Sequence, residues 1–256
     1  LAVGHTTPVS IASGKTLSGG ITVTAGSIKL GETGTLASNI SMSDGTLDAD
    51  ETLTLSGDLT QTGDMEIHVA QDKTLSYSGA AVNIGANKLT KNGKGTFNNT
   101  NALVLNNPSS KLFLGNETTV NSVSTSSNSL GVDVDDSSTI TSLAVGHTTP
   151  VSIAAGKTLS GAITVTAGSI KLGETGTLAS TVTMSGGTLD ADETLTLSGA
   201  LSHSGDITID VYSNKTLTYS GTAINVGPNT ITLSGGGSFV SGGITLNDAQ
   251  SKLLLN

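Results

Sequence analysis

Apolar residues in this chain occupy every second position of short segments: Val9/Ile11, Ile28/Leu30, Leu47/Ala49, Ile67/Val69, Leu112/Leu114 and Val132/Val134. A second set, Ile21/Val23, Ile40/Met42, Val82/Ile84 and Leu103/Leu105, alternates in the same way further along. Period-two alternation puts such residues on one face of a strand, and no stretch shows the 3.6-residue apolar period of a helix. Between the two sets stands a Thr-aliphatic pair that returns at Thr16, Thr35, Thr54, Thr74, Thr96, Thr119, Thr139, Thr158, Thr177, Thr196 and Thr216, with Ser238 last, in steps of 19 to 23 residues. A period near 20 in a β-rich chain is the signature of a solenoid in which each turn is one coil. The pattern predicts an all-β fold, a single-stranded parallel β-helix of about 13 coils and about 19–24 residues per coil. Each coil carries three short strands with Gly, Asn, Asp and Ser at the bends. At about 4.8 Å per coil the rod is expected to be about 60 Å long.

A longer repeat lies over the short one. Residues 1–38 and 143–180 differ only at Ser13 against Ala155 and Gly20 against Ala162, an offset of 142 residues. The chain therefore divides into a first unit, 1–142, of seven coils, and a second, truncated unit, 143–256, that continues the same solenoid. The pattern stops in mid-coil at "SKLLLN" with no polar capping turn in view, so a segment of a longer fibre is expected.

The phrase "GKTLSG" at 14–19 and 156–161 looks like the end of a phosphate-binding loop, but the glycine such a loop needs five residues earlier is Val9 or Val151. The threonine reads instead as a rung of a ladder, stacked one strand spacing from its copy in the next coil, with Lys15 on the surface.

Composition narrows the chemistry. Charged residues are 12% and aromatics 2%; there is no cysteine or tryptophan, and all 11 basic residues are lysine. Without cysteine there is no disulfide or thiolate metal site. Absence of arginine, with a net charge of −9, argues against nucleic acid as a partner. No apolar run reaches the roughly 18 residues of a membrane span, so direct membrane insertion is not expected.

The recurring "TLSGG", "GTLDADETLTLSG" and "NKTLTYSG" phrases resemble the parallel β-helix stalks of large bacterial surface proteins: adhesins, and the passenger regions of autotransporter- or filamentous-haemagglutinin-like exoproteins. The resemblance is architectural and covers essentially the whole chain. It implies an extracellular, cell-surface rod whose partners are adjoining repeats of the same chain and, through other regions, a host or neighbouring-cell surface or extracellular matrix. It assigns no binding residue.

Candidate chemistry is sparse, and no cofactor is expected. Outward residues of the first strand set form the column Ser10, Lys29, Asp48, His68, Thr90, Phe113, Asp133, Ser152, Lys171, Asp190, Asp210. Asp190 and Asp210, one strand apart, could raise one carboxyl pKa or hold a cation, but the first unit has His68 in place of Asp210. "DADE" and "VDVDDSS" match neither an EF-hand loop nor a calcium β-roll, and read as solvated surface. His203, with Gln61 at the same place in the first unit, is expected inward as a packing residue. Phe97 and Phe239 are expected inward, and Phe113 and Tyr77 exposed. Lys88, Lys91 and Lys94 give the variable stretch 87–111 a local positive patch on an acidic rod.

Three functions follow as expectations. The first is a structural spacer or adhesin stalk without catalysis; the second is ice or other surface binding through the Thr-x-Ser/Thr rows. The third, a polysaccharide-degrading β-helix enzyme, calls for acids clustered across three or more neighbouring coils in both units.

Overall fold

The computed structural model describes residues 1–256 and contains strands and turns with no helix. All strand pairs are parallel and join one coil to the next, so the chain winds as a β-solenoid of about 13 coils. The first face is a sheet of thirteen strands, from Thr7–Ser10 to Lys252–Leu255. The second carries the threonine pairs, from Thr16–Leu17 to Ser238–Ser241. The third is made of strands such as Gly20–Val23, Asn39–Met42 and Leu59–Gln61, and closes the triangle.

Alternation decides which residues enter the tube. Burial along Ser27–Gly31 and Met65–Val69 alternates residue by residue, with Ile28, Leu30, Ile67 and Val69 shielded from solvent. Fifty-seven buried apolar residues, from Val3 to Ile231, form one continuous cluster down the axis. Each buried aliphatic side chain contributes about 2 kcal/mol relative to exposure, so every coil adds its own share and the stability is distributed along the rod.

Three strands per coil holds for most turns but not for the middle of the rod. There the second and third faces merge into single strands, Thr119–Thr125, Ser138–Val145 and Thr158–Val165. These three coils straddle the junction between the long units at residue 143.

The threonine ladder is real in runs and broken between them. Thr16, Thr35 and Thr54 stack in register, as do Thr74, Thr96, Thr119 and Thr139, and again Thr158, Thr177 and Thr196. Thr54, however, lies opposite Ser76 rather than Thr74, Thr139 opposite Ser160 rather than Thr158, and Thr196 opposite Thr218 rather than Thr216. Each break is a slip of two residues, which keeps side chains on the same face because the strand period is two.

The expectation of an exposed Tyr77 is overturned by its parity, since it stands two residues after Leu75 on the core side of Thr74–Tyr77. Leu36, Leu55 and Tyr77 form one inward column, and Tyr77 is buried. Its hydroxyl donates to Ala80 O at 2.6 Å and accepts from Leu59 N at 3.0 Å, while its ring stacks on Phe97 with centroids 5.9 Å apart. Burial pushes the phenol pKa up.

Candidate functional site

The corner between the first and second faces is where the Gly-Lys-Thr phrases fall. Lys73, Lys157 and Lys215 precede the ladder threonine and reach an acid one coil earlier: Glu51 at 2.6 Å, Asp136 at 2.7 Å and Glu193 at 2.5 Å. The threonine backbone is held by a hydroxyl from the same earlier coil, Thr74 N by Thr52 Oγ1 and Thr216 N by Thr194 Oγ1, both at 3.1 Å. Lysine and threonine here tie successive coils together. Contact with Lys157 holds Asp136 below the usual carboxylate range and raises the lysine in turn.

On the first face the charged residues form short columns along the rod. Asp48 is nearly buried between Lys29, 3.1 Å away, and His68, whose Nδ1 donates to it at 2.7 Å. Lys29 also approaches Asp50 at 3.5 Å. Asp48, Asp50 and His68 are close enough to one another for a metal ion, but the Lys29 ammonium already supplies the positive charge there. In the second unit Asp190 lies between Lys171, at 2.9 Å, and Asp210. Burial raises the Asp190 pKa; Lys171 opposes this, and Asp192 and, last, Asp210 add to it. Asp210 accepts a hydrogen bond from Ser234, so each aspartate has a partner of its own. Beyond His68 the column continues to Asn92, while Thr90 lies opposite Glu66, another two-residue slip.

The same shallow groove recurs beside the first face in both units, at the bend that leads into it. In the first unit it measures about 210 Å³ and is lined by Asp44, Asp64, Glu66, Lys88, Thr46 and Thr90. Its counterpart, about 430 Å³, has Thr208 for Glu66, Thr230 for Lys88 and only Asp206 among acids. Clustered acids are therefore a property of one copy. Two of them are spent on the backbone: Asp44 accepts from Gly45 N at 2.6 Å and Asp64 from Lys88 N at 2.7 Å.

The expected lysine patch does not form as a unit. Lys88 is exposed beside Lys111 of the next coil, and Lys94 pairs with Glu117 at 2.7 Å. Lys91 points inward and has no exposed surface at all. Its phase explains this: Lys91 is two residues after Leu89, and both lie on the core side of Lys88–Asn92. Leu233 occupies the equivalent place in the second unit. Phe113 is outward and half-buried between Thr90 and Asp133.

One polar position inside the rod escaped the sequence, and another lies where the sequence placed it. Asn99, fully buried, donates to Asn101 O and Ser122 O and accepts from Asn121 N and Ser122 N. Gln61 and His203, at equivalent places, each donate to the carbonyl two residues on, Gly63 O and Gly205 O, at 2.9 Å.

Charge is partitioned around the cross-section. Strands of the second and third faces contain no Asp, Glu or Lys, whereas Lys29, Asp48, Lys111, Asp133, Lys171 and Asp190 all lie in first-face strands. Outward residues of the third face are small and mostly hydroxylated, as in the column Ala2, Thr22, Ser41, Thr60. Comparison with known proteins finds no matching family, no matching curated protein and no matching solved structure.

Proposed function

We propose that this chain is a structural segment of a long extracellular β-solenoid, a cell-surface stalk, spacer or adhesin fibre without catalysis. The observation that carries the reading is the axial bonding of coil to coil, by two means along the rod and by a third at many of the junctions. These are the thirteen-strand ladder, the unbroken apolar core, and lysine–carboxylate pairs between adjacent coils. Such nearest-neighbour bonding lets stability add up coil by coil and lets repeats be added without redesign. The exposed pairs contribute little stability each, but they neutralise the charged face locally while the net charge of −9 discourages rods from sticking. The test is to label intact, unpermeabilised cells of the source with an antibody to this segment and to image it by electron microscopy. Labelled rods projecting from the surface support the reading; label found only after permeabilisation overturns it.

A second reading, binding to ice or another flat repeating surface, is favoured by the uncharged second and third faces with their rows of threonine and serine. The slips at Thr54, Thr139 and Thr196 divide those rows into short runs. Thermal hysteresis in a solution of the purified chain would support it, and none would remove it.

A further inference from the structure

Lys91 lies in the tube between Ile67 of the preceding coil and Leu114 of the following one. Its Nζ donates to Thr118 Oγ1 and Asn92 O, both at 2.6 Å, and to the carbonyls of Gly93 and Gly95, both at 3.3 Å. Thr118 is itself fully buried and belongs to the next coil. Four oxygens thus enclose an ammonium with three protons, and the cage joins the bend 92–95 to the coil above it. Leu233 in the second unit shows that an apolar side chain suits this position. The charge is therefore an addition to the fold rather than a requirement of it.

We propose that Lys91 makes the coil from Lys88 to Thr118 a proton-responsive joint, at which the solenoid opens more readily when the amine is protonated and tightens when the proton leaves. The physical cause is a difference in hydration. When the bend is closed the ammonium is dry, and when it opens the ammonium meets water, where a charge is far better solvated. Burial pushes the Lys91 pKa down to about 7, with the Glu66 carboxylate pulling it partly back, against an ordinary lysine value of 10.5. Because the closed form binds the proton more weakly, closing is favoured progressively as pH rises from the closed value to the open one, and is constant outside that window. The other charged groups around the cage are already engaged. Glu66 accepts from Asn92 Nδ2 at 3.0 Å, Lys94 pairs with Glu117, Lys111 pairs with Asp133, and Lys88 faces the groove. His68 is bonded to Asp48, and its ring lies where a side chain on Gly93 would sit.

Amide hydrogen exchange on the whole chain reads the joint directly. With intrinsic rates corrected for pH, the opening constant of 88–118 is expected to fall about 70-fold between about pH 7.5 and about pH 9.5. Lys91→Leu, which keeps His68 and copies the second unit, is expected to abolish the dependence. A flat wild-type profile, or the same slope in Lys91→Leu, overturns the proposal. Should Lys91→Leu fail to fold, carbon-13 labelling of the lysine ε-carbons in the wild-type chain decides. One of the 11 lysines titrating near neutrality supports the joint, and all of them titrating at ordinary values overturns it.

Discussion

Asp48 accepts a hydrogen bond from His68 Nδ1 at 2.7 Å and lies 3.1 Å from Lys29 Nζ, so one carboxylate spans three successive coils. Its counterpart Asp190 has a lysine on one side and another aspartate on the other. Asp48→Ala is expected to cost about 1–2 kcal/mol, since two partly exposed groups lose a charge-assisted acceptor. Asp190→Ala is expected to cost less, because it also removes a repulsion. Denaturant midpoints check the order, and an Asp190 variant that loses more than the Asp48 variant contradicts the account.

Acid titration tests the environment of Asp190 separately. Lys171 is held above its ordinary value by this contact, which alone would pull Asp190 down; burial outweighs that pull and the carboxyl sits above its usual range. The folded carboxyl therefore binds its proton more tightly than the unfolded one. Its contribution is fully present below the unfolded value and is lost as pH rises through the folded value. The stability of wild type minus that of Asp190→Asn should accordingly decline as pH rises above the ordinary carboxylate value of 3.8. Urea midpoints at several pH values measure it, and a difference that rises with pH would be the wrong sign.

Glycine is required at some bends and only convenient at others. Gly131 has φ +86°, and a Cβ there would lie 1.9 Å from Pro150 O of the next coil. Gly14 has φ +72° with open space around it. Gly131→Ala is expected to cost about 3 kcal/mol or more, and Gly14→Ala about 1 kcal/mol, the cost of a left-handed backbone alone. Thermal melts of the two variants side by side check the gap.

Asn99 uses all four of its hydrogen-bonding positions inside the rod. Asn99→Leu, nearly equal in volume, leaves two buried N–H groups and two carbonyls without that partner, an expected loss of about 3–4 kcal/mol. Exchange protection of Ser122 and Asn121 should fall with it. Unchanged protection would show that the side chain is not the lock described above.

The winding itself was legible from alternation and spacing, because every coil must bury the same side of each strand. What alternation cannot register is a shift of two residues, since parity survives it. The breaks at Thr54, Thr139 and Thr196 were hidden for this reason, and so was the placement of His68 opposite Asn92. Tyr77 shares the parity of Leu75 and could have been placed inward on that ground. Lys91 shares the parity of Leu89, but a lysine's charge argued for the surface, and only the cage of carbonyls around it reverses that argument. The ionic columns were half legible: residues one coil apart were identified, while burial, which sets their energetics, was not.

The strands between Thr119 and Val165 carry backbone pairing around the corner between the second and third faces in three neighbouring coils, at the place where the first long unit gives way to the second. A protease must draw several residues of extended chain into its cleft, and a corner whose amides are paired to the coils on either side yields less readily than an unpaired one. At that corner the seam between the two copies is thus expected to be nicked more slowly than the same corner elsewhere in the rod.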